Sequence, residues 1–100
     1  MPTSYKLSEA AEVALDEIAT YTDDAFGTWQ TEAYLAGFTK SFELLVMFPG
    51  IGVAVFEIKP GLRRYRYQSH YIFYTEQTDG VLIEHIIHTR RNIRADLFDT

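Results

Sequence analysis

Two periods divide the chain. Between Glu9 and Met47 apolar residues recur at helical spacing, and after "FPGIG" (48–52) they begin to alternate. In the first part Ala11, Leu15, Ile18 and Thr22 follow i, i+4, i+7, i+11, with Ala14 and Tyr21 widening the stripe and Glu12, Asp16 and Glu17 facing away. This predicts a helix from Glu9 to Tyr21. Ser8 is its expected N-cap, and Glu9 and Glu12 put negative charge where the first-turn N–H groups favour it. "DDAFGT" interrupts the stripe, with Gly27 as a stop and Thr28 as a new start. A second helix is expected from Trp29 to Met47, because Leu35, Phe38, Phe42 and Leu45 recur at i, i+3, i+7, i+10. The two form an αα-hairpin.

The remainder reads as strands. "TSYKL" (3–7) alternates before the first helix, "VAVFEI" (53–58) can be extended, and "KPG" (59–61) is a turn. "LRRYRY" (62–67), "SHYIFYTE" (69–76) and "GVLIEHIIHT" (80–89) follow, the last two joined through Asp79-Gly80. The fold class expected is α+β: a short N-terminal strand and an αα-hairpin packed on one face of an antiparallel sheet that three C-terminal strands complete. One domain is expected over 1–100, since no linker or repeat divides the chain. "HYIFY" is apolar or aromatic on both faces, which marks a central strand. The helices cover one face, so a second polypeptide is expected on the other.

Composition adds boundaries. There is no cysteine, which removes disulfides and thiolate metal sites. The N-terminus has no signal-peptide pattern, and no run approaches the roughly 18 apolar residues of a membrane span. A soluble, unprocessed cytoplasmic protein is expected, with no membrane partner. A net charge of −5 and a pI near 5.0 argue against sequence-specific or general nucleic-acid binding, which draws its affinity from many cationic contacts. The average conceals a split. Residues 1–50 hold two lysines against eight acids, whereas all six arginines (63, 64, 66, 90, 91, 94) fall in residues 51–100, in two clusters.

Three histidines suggest a metal, but His85 and His88, three apart on a strand, point to opposite faces and cannot share one ion, so no metal or other cofactor is expected. His88 with Arg90 and Arg91 can be assembled into a ribonuclease, with a base, cations for the developing charge, and Tyr65, Tyr67 or Tyr71 as acid. The plainer alternative is that Arg90 and Arg91 lie beyond a strand end and bind carboxylates. In "LRRYRYQSHYIFY", alternation sends Arg63, Tyr65 and Tyr67 to one face and Leu62, Arg64 and Arg66 to the other. The tract reads either as a base-stacking or acidic-peptide surface or as a strand with long side chains lying along aromatic rings.

The order strand, helical hairpin, three strands, with "LSEAAEVALDEIATYT", "FPGIG", "IKPGLRRYRYQSHYIFY" and "IIHTRRN", resembles the ParE toxins of the RelE/ParE superfamily, also described as plasmid stabilisation proteins. The likeness extends from about Tyr5 to Asn92, and its most specific portion is the PGLRR, SHxIFY, DG and HxRR series in order. The resemblance implies the toxin of a type II toxin–antitoxin module, neutralised by a ParD-like antitoxin in a hetero-oligomeric complex. It implies DNA gyrase as target and no catalysis, whereas RelE-type relatives cleave mRNA on the ribosome; a non-toxic, antitoxin-binding remnant is a third reading. Contacts with target or antitoxin are expected from Arg63, Arg64, Tyr65, Tyr67, Tyr71, Phe73, Arg90 and Arg91. His88, Arg90 and Arg91 are the catalytic candidates of the ribonuclease alternative. The chain departs from the usual pattern at Lys59, Thr75, His85 and Thr89, which thins its positive charge. "RADLFDT" lacks the C-terminal Tyr of RelE-like ribonucleases, which favours the ParE branch.

Overall fold

The computed structural model describes residues 4–98, and its element order follows the two periods. Strand β1 (Ser4–Leu7) leads into helices α1 (Glu9–Phe26) and α2 (Thr28–Met47); strands β2 (Val53–Ala54), β3 (Leu62–Tyr67), β4 (His70–Gln77) and β5 (Gly80–His88) follow, then a 3-10 turn at Ala95–Phe98. Thr3, included in the expected first strand, lies outside the described residues. The strands form one sheet in the order β1-β5-β4-β3-β2, which makes β4 central. β2 to β5 pair antiparallel, while β1 joins β5 in parallel, so the sheet is mixed. The parallel pairing follows from the chain path, because β1 is separated from β5 by the whole hairpin and is not linked to it by a tight turn.

Ser8 caps α1 as expected: its Oγ accepts from the Ala11 N–H at 3.0 Å. It also donates to the Glu84 carbonyl at 2.6 Å. That carbonyl needs a partner because the register shifts here, with Phe73 opposite His85 and Tyr74 opposite Ile83, leaving Glu84 as the extra residue of a β-bulge. The Glu84 carboxylate pairs with Lys59 Nζ at 2.7 Å and accepts from Thr75 Oγ1 at 2.9 Å. α1 runs beyond Tyr21 to Phe26 because its last turn needs no core contact: the Gly27 N–H closes it on the Asp23 carbonyl at 2.9 Å. Thr28 is the first residue of α2, not a cap; its hydroxyl bonds Asp23 Oδ1 at 3.1 Å. The extended stretch expected over 53–58 narrows to β2. Beyond it the chain turns twice, with Ile58 N–H bonded to the Val55 carbonyl and Leu62 N–H to the Lys59 carbonyl.

The hairpin packs on one sheet face, placing Ala11, Phe38, Phe42 and Leu45 against Ile72, Tyr74, Val81, Ile83 and Ile86. The opposite face is not left for another polypeptide. The chain closes it with Val55 and Phe98, which bury Leu62, Phe73 and Ile87, while Ile58, Tyr71, Ile93 and Leu97 pack around them. Phe98 stacks 5.1 Å from Phe73 and 4.9 Å from His85. Removing a phenylalanine-sized side chain from water favours this seal by roughly 1.5–3 kcal/mol.

One glycine sets the distance between layers. Gly37 lies within α2, where alanine would favour the helix by about 1 kcal/mol. A Cβ there would strike the Tyr67 ring, whose hydroxyl reaches the helix backbone and donates to the Tyr34 carbonyl at 2.9 Å. Gly37→Ala should therefore destabilise the protein by about 1–2 kcal/mol in urea unfolding. In a Tyr67→Ala background the same change should stabilise. Equal effects in both backgrounds would mean that Tyr67 does not set the helix–sheet spacing.

Candidate functional site

At one end of the sheet, the β3–β4 turn, the start of β4 and the end of β5 converge. His70 and His88 are direct register partners, their rings 5.2 Å apart in an edge-on arrangement. The hairpin reaches this end through Tyr34, whose hydroxyl pairs with His70 Nδ1 at 3.0 Å. Phe38 packs edge-on to Tyr67 at 4.6 Å. Between hairpin and sheet opens a groove of about 960 Å³, lined by Ile18, Tyr21 and Tyr34 on the helical side and by Tyr67, His70, His88 and Arg91 on the sheet side.

The chain turns sharply after β5. The Thr89 N–H donates to the Ser69 carbonyl at 2.8 Å, the Arg90 N–H to His88 Nδ1 at 3.1 Å, and the Arg91 N–H to the His88 carbonyl at 3.0 Å. The two arginines are thus fixed by their backbones while their side chains project outward. Both are exposed, and neither guanidinium has a hydrogen-bond or ion-pair partner among the described residues. The apolar strand β5 thus ends in a rim of two cations, unpaired among the described residues, at the mouth of an aromatic groove.

The other expected contact residues are elsewhere. Arg63 Nη1 donates to the Gly52 carbonyl at 2.9 Å and lies 5.4 Å over Phe56. Arg64 stacks 4.5 Å over Tyr71. These two lie on β3 beside the edge strand β2, with β4 between them and β5. Tyr65 and Tyr67 are half-buried and pack against the helix-side core, and Tyr67 also lines the groove. Phe73 is fully buried under Phe98, so it holds the fold and is closed to a partner. Alternation did sort the tract properly, with Tyr65 and Tyr67 on the helix side and Leu62 and Arg64's partner Tyr71 on the other.

The histidines separate as alternation implied. His85 lies under Phe98 on the far face, and His88 stands beside His70 at the groove. Among the described residues no three His, Asp or Glu side chains are grouped to hold a metal ion. His88 accepts the Arg90 N–H at Nδ1, so in its neutral form Nε2 carries the proton. That tautomer is a donor, not a free base. Burial raises the phenols of Tyr34 and Tyr67, the former with a further contribution from Tyr67, and both stay protonated near neutrality. Burial, then the neighbouring His88, holds His70 below the ordinary histidine value.

His70 and Tyr34 were missed in the sequence. The available signal was the register of the β3–β4–β5 meander, which sets the first residue of one strand opposite the last residue of the next.

Because the unfolded chain takes up a proton at His70 more readily than the folded one, this residue's stabilising contribution is present above pH 6.5 and falls as pH drops through its lowered folded value. His70→Phe keeps the ring and removes the titration. Its unfolding free energy should fall less steeply than wild type between pH 6.5 and about 5, above the main carboxylate range. Identical slopes would contradict a His70 held below its ordinary value by partial burial.

Residues 5–93 match a protein-family model described as ParE toxin of type II toxin-antitoxin system, parDE. The chain is 34% identical over 98 residues to Toxin ParE1 of Mycobacterium tuberculosis, covering 97% of this chain and 100% of that one. It is 33% identical over 95 residues to Toxin ParE1 of Caulobacter vibrioides, covering 93% and 96%. A solved structure described as a chromosomal ParDE TA system from P. aeruginosa superposes with a TM-score of 0.75 at 15% identity, covering 89% of this chain and 98% of that one, which shows the shared fold.

Proposed function

The chain belongs to the ParE toxins of type II toxin–antitoxin systems, and from that premise we propose that it is neutralised in the cytoplasm by a ParD-like antitoxin and arrests growth by binding DNA gyrase stoichiometrically. The observation that carries the antitoxin contact is the Arg90–Arg91 rim, two exposed guanidiniums without partners among the described residues, beside an aromatic groove. A segment with carboxylates beside apolar side chains satisfies both, since guanidinium takes carboxylate in a bidentate fork. No helix among the described residues is long and apolar enough to cross a membrane, in keeping with action in the cytoplasm.

Binding without chemistry is favoured over RNA cleavage on two grounds. Neutral His88 offers no unengaged basic nitrogen, since Nδ1 accepts the Arg90 N–H and Nε2 holds the proton. The net charge of −5 supplies little of the cationic surface that tracks an RNA backbone.

The test adds purified toxin, freed of antitoxin, to gyrase supercoiling and cleavage assays and to a translating extract with mapped mRNA ends. Gyrase-dependent inhibition or breakage is expected. Codon-phased mRNA cuts would favour the ribonuclease, and silence in both would favour a remnant that only binds its antitoxin. Arg90→Ala with Arg91→Ala should weaken antitoxin binding by about tenfold, measured by calorimetry. Unchanged affinity would remove the rim from the interface.

A further inference from the structure

The hairpin carries an apolar surface that neither the core nor the arginine rim uses. Tyr21, Phe26 and Trp29 are 69%, 66% and 84% exposed. They gather where α1 passes into α2 at Gly27. Tyr21 and Phe26 line the outer mouth of the groove, and Trp29 sits one helical turn before Ala33, another lining residue, on the same face of α2. The turn itself requires none of these rings, since it is closed by the Gly27 and Thr28 hydrogen bonds to Asp23. Large aromatic side chains held in water at a hairpin tip are the composition of a contact patch.

Charge identifies the occupant. Asp16, Glu17, Asp23, Asp24 and Glu32 are all exposed on these helices, and no Lys or Arg occurs between Lys6 and Lys40. Asp16 and Glu17 share a shallow depression with Tyr21, which puts carboxylates beside that ring. Ring faces among carboxylates recognise cations: guanidinium and ammonium groups stack on the rings and pair with the acids. The same surface repels an acidic segment of the kind suited to Arg90 and Arg91.

We propose that the Tyr21–Phe26–Trp29 tip docks onto a basic surface of the toxin's target protein, leaving the arginine rim to the antitoxin. This deepens the gyrase reading and rests on it: an enzyme that handles DNA must expose a Lys/Arg-rich surface to neutralise phosphates, and the tip is complementary to such a surface. The two functions of the chain then use two surfaces of opposite charge.

The variants are Trp29→Ala, at a position outside the groove lining, and separately Asp23→Asn with Asp24→Asn, at exposed positions where thermal unfolding verifies the fold. Each is read three ways: growth arrest on induction, inhibition of purified DNA gyrase across a salt series, and calorimetric affinity for the antitoxin. Trp29→Ala should raise the gyrase-inhibiting concentration about tenfold and relieve growth arrest, with antitoxin affinity within about twofold of wild type. The Asn pair should weaken inhibition at low salt and flatten its salt dependence. Tip variants that arrest growth like wild type overturn the proposal. So does a loss confined to antitoxin affinity, which would make the tip the antitoxin's seat, or a change confined to self-association, which would make it a contact between copies. A wild-type chain that arrests growth without touching gyrase refutes the gyrase reading alone, and the growth assay still decides for or against the tip.

Discussion

The approach of α2 to the sheet is the constraint on which the open end of the molecule depends. Gly37 lets the Tyr67 ring lie against the helix backbone, and this brings Phe38 onto Tyr67 and Tyr34 onto His70. Those contacts place the His70–His88 pair and, through the Arg90 N–H on His88 Nδ1, the orientation of the turn that displays both arginines. The helical wall of the groove is the same surface. Packing and binding geometry are therefore coupled: a change of a few tenths of an ångström in helix position is felt by the rim, because close-packed interiors transmit displacement and do not absorb it.

The sheet is closed on both sides by one chain. Helices cover Ile72, Tyr74 and Ile86, while Phe98 and Val55 cover Phe73 and Ile87. Surfaces open to other proteins include the arginine turn at the end of β5, the groove beside it, the aromatic tip of the hairpin, and the exposed apolar side chains from Met47 to Phe56 around the edge strand β2. Half-buried His70, held below the ordinary histidine value, sits between the rim and the hairpin and gives this end a source of acid sensitivity.

Much of the fold was legible, because the dominant signals were periodic. The stripe from Ala11 to Leu45 defined two helices and their buried faces, Ser8 declared its cap, and the apolar character of both faces of "HYIFY" marked the central strand. The misses have local causes. The bulge at Glu84 reverses face parity within an otherwise even run, which no count of alternation reveals. "NIRADLF" has no period, yet its Phe98 seals the far face, so the sequence suggested an opening where the chain supplies its own cover. Of the site, Arg90 and Arg91 were readable as an exposed strand end. The burial of Phe73 was not readable, because aromatic side chains serve cores and interfaces alike.

The split between an acidic first half and an arginine-bearing second half acquires a spatial meaning in this arrangement, with carboxylates and exposed rings at the hairpin tip and guanidiniums at the sheet end. That division holds only if the far sheet face is unavailable to partners. Native-state amide hydrogen exchange on the isolated chain tests this directly. The amides of Phe73 and Ile87, whose side chains lie on the face that Phe98 covers, should exchange only through global unfolding, as slowly as those of Ile72 and Ile86, whose side chains lie beneath the helices. Rapid exchange at Phe73 and Ile87, with protection acquired only when an antitoxin is added, would show instead that the second face belongs to the partner.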